Sequence, residues 1–272
     1  MGYLTTEKKK VTVKTFVEMK RDGNKIAMLT AYDYTTARLI DEAGVDSILV
    51  GDSASNVMLG NDSTLPITLD EMIVYARGVA RGCQRALVVC DMPFGSYQVS
   101  PEEGVRNAVR LIRETGVDAV KLEGGEEVAP TIERMVNAGI PVVGHLGLTP
   151  QSIHKFGGYG VRARSEVEAT KLIADAQALE KAGCFAVVLE KIPASVAQQV
   201  TDLLSVPTIG IGAGSHCDGQ VLVYADAMGL TQGFEPKFLR EFAAMGEELR
   251  RGVRAYCEAV KGDEFPNESE SY

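Results

Sequence analysis

One pattern recurs along this chain and narrows its possible folds. A helical stretch closes on glycine, a few residues follow, and a short run rich in Val, Ile and Leu comes next. It reads Gly44-Val-Asp-Ser-Ile-Leu-Val-Gly51, Gly82-Cys-Gln-Arg-Ala-Leu-Val-Val-Cys90 and Gly116-Val-Asp-Ala-Val-Lys-Leu-Glu123. It continues as Gly139-Ile-Pro-Val-Val-Gly144 and Gly183-Cys-Phe-Ala-Val-Val-Leu-Glu190. Glycine after the last helical residue is the usual left-handed cap. Apolar runs without alternation suit strands covered on both faces, as in a parallel sheet. Helix starts carry their own marks: Ser100-Pro101-Glu102-Glu103, Thr68-Leu69-Asp70-Glu71 and Ser165-Glu166-Val167-Glu168 each read as a capping box.

These signals predict strands near 26–31, 47–51, 86–90, 119–122, 141–144, 185–189 and 207–211, with an eighth between Val221 and Leu230. Phe238, Phe242, Met245, Leu249, Val253, Tyr256 and Val260 recur at helical spacing and predict a last long helix with one apolar stripe. Seven or eight βα units in 272 residues fit a (β/α)8 TIM barrel spanning residues 1–272, ahead of a doubly wound open sheet. About 12 residues at the start and the tail 263–272 read as mobile ends.

The chain has 28 basic and 37 acidic residues, a formal net charge of −9, and no Lys/Arg stripe, which weighs against nucleic-acid partners. No apolar run approaches the ~18 residues of a membrane span, and no apolar segment follows Lys8-Lys9-Lys10 as a signal peptide requires. Five scattered cysteines form no CxxC pair, which favours a reduced cytoplasmic protein over a zinc site or disulfide framework.

In a barrel the chemistry gathers at the C-terminal strand ends. Reading only those positions yields Asp52-Ser53, Asp91, Lys121 with Glu123, His145 and Glu190. An Asp after a strand is about as often the N-cap of the next helix. Asp52 and Asp91 fit that badly, since their next capping boxes lie well downstream. Lys121 and Glu123 share a strand face and could instead form a surface pair. His145 alone reads as a structural histidine as readily as a ligand. Taken together, the acids form a hard oxygen set suited to Mg2+. A cation there can chelate a 2-oxo acid and stabilise an enolate. Lys121 can balance substrate charge, and Glu190, partly desolvated, can take a carbon-bound proton. Two Gly-rich segments stay ambiguous. Gly210-Ile-Gly212-Ala-Gly214 suits a phosphate or cofactor tail or a plain turn, and Phe156-Gly-Gly-Tyr-Gly160 suits a lid or a flexible loop.

From about Val13 to Phe265 the chain resembles the ketopantoate hydroxymethyltransferase family. The resemblance rests on Met28-Leu-Thr-Ala-Tyr-Asp33, Val50-Gly-Asp-Ser53, Asp62-Ser-Thr-Leu-Pro66, Asp91-Met-Pro-Phe94 and Val120-Lys-Leu-Glu-Gly-Gly125. Gly144-His-Leu-Gly-Leu-Thr-Pro-Gln151, Leu189-Glu190, Pro207-Thr-Ile-Gly-Ile-Gly-Ala-Gly214 and Cys217-Asp-Gly-Gln220 complete it. It implies a barrel of the phosphoenolpyruvate/pyruvate-binding type. The implied reaction moves a hydroxymethyl group from 5,10-methylenetetrahydrofolate to 3-methyl-2-oxobutanoate and makes 2-dehydropantoate for pantothenate synthesis. By position, Asp52 and Asp91 match Mg2+ ligands, with Glu123 completing the metal site through water. Asp52, Ser53, Asp91 and Lys121 match the oxo-acid contacts, Glu190 the proton acceptor, and His145 a pocket histidine. The resemblance also implies a homodecamer. Two departures, Ala54-Ser55 after Asp52-Ser53 and Asn61, fall in the loop after the second strand and bear on folate affinity and loop geometry. A Mg2+-dependent lyase or mutase of the same superfamily is the nearest competitor, though no Lys-Lys-Cys-Gly-His signature is present. A non-catalytic, ring-forming barrel is the reading from a different class.

Overall fold

The computed structural model describes residues 9–272. The chain gathers into two compact units, residues 1–222 and 223–272. In the first, eight strands form a closed, all-parallel barrel in chain order: β1 (Ile26–Thr30), β2 (Ser47–Val50), β3 (Leu87–Asp91), β4 (Ala119–Glu123), β5 (Val142–Gly147), β6 (Ala186–Glu190), β7 (Thr208–Ile211) and β8 (Gly219–Leu222). Before and between them run α1 (Val13–Arg21), α2 (Tyr34–Ala43), α3 (Ala54–Val57), α4 (Leu69–Gly82), α5 (Pro101–Thr115), α6 (Ala129–Asn137), α7 (Ile153–Phe156), α8 (Glu166–Lys181) and α9 (Ala194–Leu203). The second unit carries α10 (Tyr224–Ala227) and α11 (Met245–Lys261).

Most of the local signals hold. Gly44 and Gly116 cap α2 and α5 in the left-handed conformation, at φ 99° and 81°. Gly82 does not: it is the last residue of α4, and a Cβ there would lie 2.6 Å from the Tyr34 carbonyl oxygen, so it serves close packing of α4 on α2. The Thr68 box closes in both directions through Glu71, whereas Ser100 and Ser165 accept from Glu103 N and Glu168 N. The Glu168 carboxylate pairs with Arg162 instead.

Two positions depart from expectation. The eighth strand lies at Gly219–Leu222, at the upstream edge of the predicted window, where it pairs with both β1 and β7. The last helix starts at Met245 rather than near Phe238. Phe242 N, Met245 N and Gly246 N donate to the carbonyls of Ala227, Met228 and Gly229, so these amides are committed to the turn after α10. Of the N-terminal residues read as mobile, 1–8 lie outside the described residues. Beyond them, Lys10 pairs with Asp118 and buried Val11 donates to the Arg85 carbonyl. The tail from 263 is exposed and forms a short 3-10 turn at Glu268–Glu270.

The Gly-Val-Asp phrase before two of the strands has a structural cause. Asp46 N donates to Ala27 O while Ala27 N donates back to the Asp46 carboxylate, at 2.9 and 3.0 Å. Asp118 repeats the exchange with Val88, at 2.9 and 2.8 Å. Each carboxylate thus extends the ladder by one rung at the barrel floor and is neutralised there, by Arg85 and Lys10 respectively. Fully buried Phe16 of α1 joins the floor, edge-on to Phe185 with ring centroids 5.8 Å apart.

Strand alternation then fixes what faces the barrel axis. Leu87 and Val89 of β3, Ala119 of β4, Val143 of β5, and Ala186 and Val188 of β6 belong to one buried cluster with Phe16. Two residues further along the same faces stand Asp91, Lys121 (and then Glu123), His145 and Glu190. The barrel is therefore apolar from its floor upward and charged at its C-terminal mouth.

Candidate active site at the barrel mouth

The register brings the charged residues side by side: Asp91 of β3 is opposite Lys121, Glu123 is opposite His145, and Glu190 of β6 is opposite Gly147. Gly147 is required at that place. Its φ is 95°, and a Cβ would lie 2.2 Å from the Glu190 carbonyl oxygen. Asp52 and Ser53 follow β2; Ser53 occupies the N-cap position of α3, but no side chain makes a capping bond there. The helix-cap alternative therefore fails for Asp52, and Asp91 lies within its strand.

The contacts are dense. Lys121 Nζ lies 3.0 Å from Asp91 Oδ1, off the line of a hydrogen bond, so the pairing is mainly coulombic. Asp91 Oδ2 accepts from Asp52 N at 3.0 Å. His145 Nδ1 is 3.1 Å from Lys121 Nζ and 3.4 Å from Glu123 Oε1, and its Nε2 faces Glu190 Oε2 at 3.3 Å. Ser53 Oγ meets the buried Tyr32 hydroxyl at 2.7 Å. The Glu190 side chain is 18% exposed, against 5% for Asp91 and 4% for Glu123, so Glu190 is the carboxylate that solvent and substrate can reach.

Burial, then the charges of Asp91 and Glu123, pushes the Asp52 carboxyl well above the ordinary range. Burial favours the neutral amine of Lys121, but Asp91, Glu123 and Asp52 outweigh it and hold the ammonium. Burial and Lys121 likewise oppose a charge on His145, yet Glu123 and Glu190 pull it up to about 9. As a cation, or as the neutral tautomer whose Nδ1 accepts from Lys121, the imidazole carries a proton on Nε2, which faces Glu190 at 3.3 Å without a hydrogen bond. Even with the Asp52 proton retained, three carboxylates face the two cationic side chains, leaving negative charge for a cation to balance. Asp91 Oδ1 is buried and accepts no hydrogen bond. An all-oxygen donor set with a buried carboxylate oxygen that faces only the Lys121 ammonium fits a hard divalent ion. Among the described residues no three His, Cys, Asp or Glu side chains converge closely enough to enclose an ion alone.

Sequence reading missed Gln151, Tyr97 and Tyr32. Gln151 sits on the 3-10 turn Pro150–Ser152 beyond β5 and contacts both Asp52 and Glu123. The available signal was an uncharged polar residue directly beyond a strand already carrying His145. Beside the mouth, a cavity of about 530 Å3 is lined by Gly124, Gly147, Thr149, Phe156, Arg162 and Lys171, among others. Arg162 covers the Phe156 ring at 4.2 Å, and Lys191 Nζ donates to the Tyr159 carbonyl at 2.5 Å, tying the 157–160 loop to the residue after Glu190. Gly210–Gly214 leaves β7 as a turn closed by Gln220 Nε2, which donates to Gly214 O at 2.9 Å.

The pattern of the ketopantoate hydroxymethyltransferase family matches residues 10–268. A 3-methyl-2-oxobutanoate hydroxymethyltransferase of Flavobacterium johnsoniae is 59% identical over 264 residues, 97% of either chain. Its counterpart in Parabacteroides distasonis is 59% identical over 266 residues, 98% of this chain and 97% of the relative. Among solved structures, a phosphonopyruvate hydrolase in complex with oxalate and Mg2+ matches with a TM-score of 0.61 at 11% identity, covering 95% of this chain and 92% of that one. A 2,3-dimethylmalate lyase of the phosphoenolpyruvate mutase/isocitrate lyase superfamily matches at 0.58 and 17%, covering 96% and 91%. At such identities these two speak for the barrel fold only, so the lyase or mutase alternative gains nothing from them.

Proposed function

The chain belongs to the ketopantoate hydroxymethyltransferase family, and from that premise we propose how its barrel mouth performs the family's reaction. The enzyme transfers a hydroxymethyl group from 5,10-methylenetetrahydrofolate to 3-methyl-2-oxobutanoate, giving 2-dehydropantoate for pantothenate synthesis. The reaction needs a base for the proton on C3 of the oxo acid, positive charge for its carboxylate and oxo group, and a second substrate held against C3. The observation that carries the assignment is the contrast in exposure: of the inward-facing strand carboxylates, Glu190 alone reaches the open mouth.

Glu190 takes the C3 proton. His145 Nε2, 3.3 Å from Glu190 Oε2, orients that carboxylate. Lys121, held protonated by three carboxylates, faces the negative charge of the oxo acid, and Ser53, steadied by Tyr32, contacts its polar end. Asp52 and Asp91, with Glu123 beside them, are the residues that would hold Mg2+. Bound there, the ion would supply Lewis-acid stabilisation of the charge that builds up as C3 is deprotonated. The apolar barrel wall below excludes water from the reacting carbon. The folate approaches from the side of the 530 Å3 cavity, which borders Gly147 opposite Glu190.

We read the enzyme as a cytoplasmic homo-oligomer, a decamer by family resemblance. Its five cysteines are all free, as a reducing compartment requires. Among the described residues no helix is long and apolar enough to cross a membrane. Self-association is supported by α11, where Met245, Leu249, Val253, Tyr256 and Val260 form a stripe 41–62% exposed.

The test is proton exchange at C3 of 3-methyl-2-oxobutanoate, followed by NMR in D2O with and without Mg2+. The parent should exchange in a Mg2+-dependent manner, with tetrahydrofolate added if exchange requires it, and Glu190→Gln should not exchange. Near-parental exchange by Glu190→Gln would exclude Glu190 as the base.

A further inference from the structure

We propose that Gln151 is a positioning residue that sets the spacing between Asp52 and Glu123 and thereby the affinity of the mouth for its divalent ion. The inference rests on the Mg2+ site proposed above. Gln151 is buried, and each of its side-chain hydrogen-bonding positions is taken. Its two amide hydrogens go to Asp52 Oδ2 at 2.9 Å and to the Met92 carbonyl at 3.0 Å. The amide oxygen accepts from the Tyr97 hydroxyl at 2.8 Å and from Gln98 Nε2 at 3.0 Å. Its backbone N–H donates to Glu123 Oε2 at 2.9 Å.

One residue therefore grips one oxygen of Asp52 and one of Glu123, whose other oxygen faces His145 Nδ1 at 3.4 Å. With no polar side-chain atom to spare, Gln151 cannot itself bind substrate or metal. Nor can its amide turn over. The flipped amide would set its oxygen against Asp52 Oδ2 and the Met92 carbonyl, two acceptors, and its NH2 against the Gln98 NH2. Tyr97 locks the other side: its hydroxyl also accepts from Glu123 N at 3.1 Å and lies 3.1 Å from the Glu123 carbonyl. Partners that hold metal ligands in this way typically set affinity by ~10–100-fold.

The test compares Mg2+ binding by isothermal titration calorimetry in the parent and in Gln151→Met, which keeps the chain length and the backbone N–H. The expected result is a Kd raised about 10–100-fold, with C3 exchange recovering at saturating Mg2+. Tyr97→Phe, a gentler change, should weaken Mg2+ in the same direction and carries the test should Gln151→Met not fold. A merely structural Gln151 would lower the melting temperature of the metal-free protein and leave Kd unchanged. An unchanged Kd in a folded variant overturns the inference. A parent that binds no Mg2+ overturns the metal site itself, so the two failures are distinct.

Discussion

Lys121→Met tests the electrostatics of the mouth directly. The Lys121 side chain is 5% exposed, and its Nζ lies 3.0 Å from an Asp91 side chain equally buried. Asp52 and Glu123 also act on it. Methionine fills nearly the same volume, so the packing cost is small and the lost charge dominates. Removing one partner of a buried ion pair costs about 3–5 kcal/mol, because the other is left uncompensated. For a domain of this size each kcal/mol corresponds to about 2–4 °C, so the melting temperature should fall by roughly 6–20 °C. The measurement is urea denaturation at about pH 7.5 in EDTA, since a bound divalent ion would replace the missing charge. The pH dependence has a definite sign. Without the ammonium the folded-state carboxylates hold protons more tightly than in the unfolded chain. Their penalty is therefore present above the unfolded pKa and is relieved as pH falls. The loss should be largest near neutrality and shrink in acid. Lys121→Met combined with Asp91→Asn should recover part of the loss, with a coupling of about 1 kcal/mol or more. A single variant within about 1 kcal/mol of the parent, or a double variant less stable than the single, would refute the reasoning.

At the floor of the barrel, the buried Asp41 carboxylate accepts from Gln84 N, Arg85 N and Ala86 N, at 3.0, 3.1 and 2.6 Å. Asp41→Ala strands these donors at the entry to β3 and should cost roughly 3–5 kcal/mol in urea denaturation, with exchange activity per folded molecule unchanged. Burial pushes the Cys184 thiol up to about 12, and burial together with Asp41 does the same to Cys83. Cys90 and Cys217 are also buried and raised. An aromatic disulfide reagent at about pH 8 should therefore react first at the partly exposed Cys257 on α11, and Cys257→Ser should abolish the fast phase. The raised thiols stay protonated in the folded chain while unfolded thiols ionise, so their contribution to stability should fall as pH rises from about 9 towards 12.

The barrel was legible because its signals are local. Glycine caps, capping boxes and two-sided apolar runs each act within a few residues, and they located seven strands to within a few residues. The errors arose where a distant partner decides. Gly219–Leu222 is a short strand, recognisable only because β1 and β7 lie on either side of it. The stripe that suggested a helix from Phe238 has the right period, but the carbonyls of Ala227, Met228 and Gly229 capture its first amides. Gly82 carries the same signal as Gly44 and Gly116, yet its reason is the Tyr34 carbonyl of another helix.

The site divides along the same line. Charges at strand ends stand out because a buried charge is costly and must be balanced, so Asp91, Lys121, Glu123, His145 and Glu190 could be read from position alone. Strand pairing then turns four of these positions into neighbours, Asp91 beside Lys121 and Glu123 beside His145. Gln151 carries no charge and obeys no spacing rule. Its role arises from a 3-10 turn that places one amide between two carboxylates brought together by different strands. In the proposed Mg2+ site the charged residues would select the kind of ion, and the neutral ones, by setting the distances between carboxylate oxygens, would decide how tightly it is held. A variant that alters only Gln151 should therefore change Mg2+ affinity while leaving the charge balance, and so the preference for a divalent cation, intact.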